Sequence, residues 1–75
     1  MFTVFGFKKI IAKKDSTRFT ELHLVSEDRF VLGQRVDAVF VRDDIIENIE
    51  FLEVGSSVQL VYNRYGRVEK VVIVV

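Results

Sequence analysis

Apolar and polar residues alternate along most of this chain with the period of two that is typical of β-strands. The stretch FTVFGFKKII at residues 2–11 is rich in β-branched and aromatic side chains, and TELHLV at 20–25 and RVDAVFVR at 35–42 alternate clearly. Two further apolar runs, at residues 57–63 and 67–75, lie on either side of a glycine. The pattern therefore predicts five strands.

The segment DDIIENIEFLE, residues 43–53, breaks this alternation and has the spacing of a short helix. Asp44 followed by Glu47 forms a capping-box pattern at its start, and Gly55 comes just past its end. We predict a helix of about three turns over residues 44–52. A strand is the alternative, because isoleucine is β-branched. The apolar residues at helical spacing are Ile45, Ile46, Ile49 and Leu52.

The tetrapeptide NRYG predicts a tight turn between the last two strands. Asn63 in the first position and Gly66 in the fourth fit a type I turn with glycine at the left-handed bulge position. The register of this hairpin is left open, since VVIVV offers apolar side chains to both faces. The first register places Val58, Leu60 and Tyr62 on one face with Val68, Val72 and Val74, and a slip by one residue substitutes Val71 and Ile73.

The predicted order is strand, strand, strand, short helix, strand, strand, within a single domain that covers residues 1–75. This is the connectivity of an OB-fold, a small and partly open five-stranded barrel. The fold class predicted is therefore mainly β, an OB-like barrel with one short helix between strands 3 and 4. An SH3-like barrel is the alternative, in which the acidic segment forms a loop or a single turn.

Composition restricts the class of protein further. The chain has 75 residues, 49% of them hydrophobic, and no cysteine. A globular domain without disulfides or thiolate–metal sites is expected, which suits a reducing compartment. No apolar run approaches the roughly 20 residues of a membrane helix, and the first residues lack the order of a secretory signal. We expect a soluble, cytoplasmic protein.

Charge is balanced in total but segregated along the chain, with eleven basic and eleven acidic residues. Residues 1–20 hold five bases against one acid, and residues 54–75 hold three bases against one acid. Residues 43–53 hold five acids and no base. Such segregation predicts a basic face and an acidic face on a neutral molecule.

The two basic regions coincide with the loops that flank the ligand-binding face of an OB barrel. These loops are residues 13–18, between strands 1 and 2, and residues 63–67, between strands 4 and 5. Tyr65 at the turn is the best candidate for stacking on a base, and either Phe19 or Phe30 is a second one; the other phenylalanines are expected mostly in the core. The predicted nucleic-acid-binding residues are Lys8, Lys9, Lys13, Lys14, Arg18, Phe19, Arg64, Tyr65 and Arg67.

The five-strand order, together with VGSSVQLVYNRYGRVEKVVIV at residues 54–74, resembles the small single-stranded-DNA-binding proteins of phages and mobile elements. The resemblance covers the architecture of the whole chain, and its motifs are generic to small barrels. It implies cooperative, sequence-tolerant coating of single strands by dimers or larger assemblies.

The function predicted is therefore non-catalytic binding of single-stranded DNA or RNA with low sequence specificity. The alternative is a protein–protein assembly module, such as a phage or mobile-element subunit, that oligomerises through its C-terminal apolar strand and recruits a partner through residues 43–53. His23 is the only histidine, so no metal centre or nucleophilic triad can be built around it. We expect no cofactor, no metal and no enzymatic activity.

Overall fold

The computed structural model describes residues 1–75 and consists of one six-stranded sheet with two short 3-10 turns. The strand order across the sheet is β3-β2-β1-β5-β6-β4, and only β4 and β6 are parallel. The prediction of a mainly β chain is confirmed. No helix present has the length and apolar character that crossing a membrane requires. The strands are β1 (Phe2–Ile11), β2 (Arg18–Ser26), β3 (Arg35–Arg42), β4 (Ile46–Glu47), β5 (Ser57–Tyr62) and β6 (Val68–Val74).

The two outer strands of the order, β3 and β4, are consecutive along the chain. Only the first 3-10 turn, Asp43–Ile45, separates them, so the two edges of the sheet meet at one corner. Beyond that corner the second edge of β3 has no neighbouring strand. The sheet curls back on itself there without strand pairing along β3 that would close it completely.

The helix predicted over residues 44–52 is not formed. Ile46 is buried and pairs with Val71 of β6, and a second 3-10 turn follows at Ile49–Phe51. Asn48, between them, has a φ of 64°, a left-handed conformation that a helix cannot contain, and its Nδ2 donates to the carbonyl of Ile73 at 3.1 Å. Pairing with β6 thus outweighs the helical spacing of the β-branched isoleucines.

The hairpin of β5 and β6 adopts the slipped register. A bulge lies between Val61 and Tyr62, where Val61 pairs with Lys70 and Tyr62 pairs with Val68, so that Glu69 is the extra residue. The first register considered is therefore wrong for Val72 and Val74, although Val68 does lie opposite Tyr62. The apolar pairs that result are Val58 with Ile73 and Leu60 with Val71.

The core is small and aliphatic. None of the seven phenylalanines is buried, so the expectation that most of them are core residues is wrong. Phe2 and Phe7 pack against the core, whereas Phe40 projects from the outer side of β3 and remains exposed. The buried apolar residues are Val4, Leu22, Leu24, Val41, Ile46, Val58, Val71 and Ile73, and the one buried polar residue is Thr20.

Candidate functional site

Two aromatic rings stack on the outer face of the three-stranded part of the sheet. The register places Phe19 of β2 opposite Arg42 of β3, and Glu21 opposite Phe40, so the two phenylalanines are diagonal neighbours. Their ring centroids are 4.9 Å apart and their planes differ by 13°. We call this pair the aromatic platform.

The aromatic platform is accessible from solvent. Phe40 is 56% exposed and Phe19 is half-buried, because each ring covers one side of the other. Offset stacking of two rings contributes only about 0.5–1.5 kcal/mol beyond their burial. Large apolar side chains left together on a surface mark an interaction site more often than scattered single ones do.

Basic side chains surround the end of the platform at Phe19. Lys8 lies on the same outer face, because it pairs with Glu21, which points to the same side of β2 as Phe19. Lys13 and Lys14 lie in the turn that leads into β2. Lys8, Lys13 and Lys14 are exposed and take part in none of the ion pairs of the structure.

Two acidic residues moderate this positive field. The Nε of Arg42 lies 3.3 Å from Oδ1 of Asp44, both of them exposed. Glu21 lies opposite Phe40 and two residues from Phe19 on β2, and its Oε2 is 3.3 Å from the Nε2 of His23. Exposed pairs of this kind contribute little and exchange readily with other partners.

Lys9 and Arg18 face the other side of the sheet. Lys9 pairs with the buried Thr20, and its Nζ lies 3.1 Å from Oγ1 of Thr20 and 3.6 Å from Oδ2 of Asp43. Arg18 pairs with Ile11, which also puts it on the side opposite to Phe19. A small cavity of about 220 Å³ lies between these side chains. The sequence grouped both residues with Lys8, whereas the alternation of the strands separates them from it.

The turn that connects β5 and β6 has the predicted geometry. The N–H of Gly66 donates to the carbonyl of Asn63 at 3.0 Å, and Gly66 has a φ of 77°. The Oδ1 of Asn63 accepts from the N–H of Tyr65 at 2.9 Å and from that of Arg67 at 3.1 Å. Tyr65 is 73% exposed with the Cζ of Arg64 5.0 Å from its ring centroid, so its ring is not folded back onto the hairpin.

The two predicted basic loops lie at opposite ends of β2. Tyr62 and Val68, at the base of the hairpin, border the same cleft as Ser26, the last residue of β2. The other loop enters β2 at Arg18, the opposite end of this nine-residue strand. The two ends are about 26 Å apart along the strand. The structure therefore does not bring Arg64, Tyr65 and Arg67 into one groove with Lys13 and Lys14.

Phe40 and Arg42 are the candidate residues that sequence reasoning missed. The alternation in RVDAVFVR did place Val36, Ala38 and Phe40 on one face of the strand. Because Val39 and Val41 on the other face are apolar too, the pattern did not show which face is directed to the core. The structure buries Val41 and turns Phe40 outward. Its position beside Phe19 depends on the β2–β3 register, which no local pattern specifies.

No group of three or more His, Asp or Glu side chains converges as it would around a metal ion. Hydrogen bonds from the side chain and backbone N–H of Thr17 lower the pKa of the Asp15 carboxyl from its usual value. That carboxylate orders the turn that carries Lys13 and Lys14, at the edge of the platform.

Comparison with protein-family models finds no matching family, and comparison with curated proteins and with solved structures finds no match. The candidate site is thus defined by the geometry and chemistry of its own residues.

Proposed function

We propose that this chain is a non-catalytic protein that binds single-stranded nucleic acid on the outer face of β1, β2 and β3, and that its curled sheet is an OB-like barrel. The observation that supports the proposal best is the exposed parallel stack of Phe19 on Phe40. Single strands bind to surfaces that combine aromatic rings for the bases with cations for the phosphates.

The platform supplies the rings. A base that stacks on an aromatic side chain contributes about 1–3 kcal/mol, and every base has a flat face that can do so. Phe40 offers an accessible ring and Phe19 extends the apolar surface towards β1. Because stacking on a ring does not distinguish one base from another, we expect low sequence specificity.

The surrounding cations supply the phosphate contacts. Lys8 and Arg42 lie on the platform face, and Lys13 and Lys14 lie in the adjoining turn. Neutralising Z phosphates of a single strand gives a slope of about −0.7Z for log K against log salt concentration. Four contacts would give a slope of about −3, a measurable dependence even for a protein whose total charge is zero.

Fluorescence anisotropy with a labelled oligothymidine at low salt tests the proposal. Phe40→Ala and Phe19→Ala should each weaken binding by about 5- to 100-fold, the loss of one stacked base. Phe51→Ala is the matched control, since Phe51 is an exposed aromatic residue in the second 3-10 turn, away from β1, β2 and β3, and it should bind like the parent. Circular dichroism establishes that each variant is folded.

The double variant Arg64→Ala, Tyr65→Ala distinguishes the platform from the hairpin. If the platform is the site, this variant keeps at least half of the parent affinity. If it loses binding while Phe40→Ala retains it, the platform is the wrong surface and the hairpin contacts the strand. An absence of binding by the parent protein at low salt would reject nucleic acid as the ligand altogether.

Assembly through the C-terminal apolar strand, the alternative function, has less support. Val71 and Ile73 are buried in the core of the chain itself. The edge of β6 that faces away from β5 is partly occupied, because Ile46 and Glu47 pair with it. Just beyond them, the side chain of Asn48 donates to the carbonyl of Ile73. Two of the five apolar side chains of VVIVV are therefore used within one copy, while Val74 and Val75 remain exposed.

A further inference from the structure

Three consecutive apolar side chains project into solvent from the connection between β2 and β3. Phe30 is 84% exposed and Leu32 is fully exposed, with Val31 between them. The loop is ordered by Asp28, whose Oδ1 accepts from the N–H of Phe30 at 2.9 Å and whose carbonyl accepts from the N–H of Val31 at 3.0 Å. We call residues 30–32 the apolar tip; holding such a run in water is unfavourable unless a partner covers it.

A cleft with an apolar floor lies at the base of the same loop. Its volume is about 430 Å³, and it runs along the free edge of β3 towards the hairpin of β5 and β6. Clefts of about 300–1,000 Å³ commonly hold small ligands, so there is room for a phenylalanine and a leucine side chain. The floor includes Phe2, Val39, Leu60 and Val68.

The charges at the two features are complementary. The cleft rim carries Glu27, Asp28 and Asp37, of which Asp28 and Asp37 are paired with Arg35 at 3.6 and 3.1 Å. Glu27 takes part in none of the ion pairs. Arg29, next to the apolar tip, has no carboxylate partner either, and its Cζ lies 4.9 Å from the ring centroid of Phe30.

We propose that two copies of this chain form a twofold dimer in which each apolar tip enters the cleft of the other copy, with Arg29 paired to Glu27 across the interface. Tip and cleft lie at the same end of β2 and β3. A twofold interface uses the same surface of both copies, so the two features must be close together on one chain, as they are here. One aromatic side chain can bury about 150–250 Å². Two tips and two clefts together bury on the order of 1,000 Å² or more, within reach of the roughly 1,200–2,000 Å² of stable interfaces.

This interface adjoins the proposed nucleic-acid face at Phe40. Phe19 and the lysines beside it lie at the far end of β2, and Phe40 alone borders both the platform and the cleft. A dimer would therefore present two platforms on one assembly. Two linked sites raise the apparent affinity for a long strand without any new contact.

Sedimentation equilibrium of the full chain, over a range of concentrations, tests the dimer. The parent should have twice the mass of one chain, and Leu32→Glu should have the mass of one chain. Val54→Glu is the matched control, because Val54 is also exposed but lies outside tip and cleft, and it should remain dimeric. Circular dichroism and urea unfolding show whether the variants are folded.

A charge exchange tests the predicted contact itself. Arg29→Glu and Glu27→Arg should each raise the dissociation constant of the dimer by at least tenfold, and the double variant should restore it. A parent that is monomeric at every concentration overturns the proposal and leaves the cleft to a different partner. A dimer that survives Leu32→Glu, or single charge variants that the double variant does not rescue, assigns assembly to another surface and overturns it equally.

Discussion

The hydroxyl of Thr20 donates a 2.6 Å hydrogen bond to Oδ1 of Asp43 and so ties the interior of β2 to the turn that follows β3. Thr20 is fully buried, and its Oγ1 also accepts from Nζ of Lys9 at 3.1 Å. This contact holds the corner where the two edges of the sheet meet. Asp43, which directly precedes the predicted helix, is instead bonded to the strand beside it.

Thr20→Val should destabilise the fold by about 1.5–3 kcal/mol, because hydrogen bonds to charged groups contribute that amount and valine cannot make them. Thr3→Val, at an exposed strand position, is the control and should change the free energy of unfolding by less than about 0.5 kcal/mol. Urea unfolding followed by circular dichroism measures both. Equal stability of the two variants would show that the network does not hold the corner.

Gly66→Ala and Gly6→Ala should differ in sign or size although both sites lack steric obstruction. A Cβ at Gly66 meets nothing within 4 Å, but the φ of 77° is one that alanine rarely adopts, which costs about 1–2 kcal/mol. At Gly6 the φ is not positive and the Cβ would lie 3.8 Å from Nδ1 of His23, an ordinary contact. We expect Gly6→Ala to be neutral or to stabilise by about 0.4–1 kcal/mol in urea unfolding. A larger loss at Gly6 would contradict this assignment of backbone strain to the hairpin turn.

The Asp15 carboxyl should titrate below the ordinary value of 3.8, because Thr17 donates hydrogen bonds to its charged form and lowers the pKa. The folded pKa is lower than the unfolded one, so the stabilisation is present above the unfolded pKa and is lost as the pH falls through the folded pKa. An NMR titration of the Asp15 carboxyl carbon measures the value, and Thr17→Val should raise it. A Thr17→Val protein with an unchanged Asp15 pKa would mean that the Thr17 hydroxyl does not contribute.

Much of the local structure could be predicted from short stretches of sequence. The strands at 2–11 and 35–42 have the predicted bounds, because alternation and β-branched residues act within one segment. The turn at Asn63 and Gly66 is also as predicted, because the glycine permits a positive φ and the asparagine side chain caps the turn. These features need no information from the rest of the chain.

The candidate site could be predicted only in part. Lys8, Phe19 and the lysines of the first loop do lie around one surface, since they are close along two adjoining strands. Tyr65 is exposed, as its place in a turn suggests, but it belongs to the far end of the molecule. Phe40 joined the surface only through the pairing of β3 with β2.

By itself the sequence determined five of the six strands, the hairpin turn and the segregation of charge, because each depends on neighbours a few residues away. Tertiary structure decided whether Ile46 would enter a strand or a helix, which side of the last hairpin would face inward, and which phenylalanines would meet. Those outcomes depend on a bulge at Glu69 and on pairings between distant strands. Shifting a strand by one residue reverses its faces at little cost in local propensity, so only packing against the other strands can select among the alternatives.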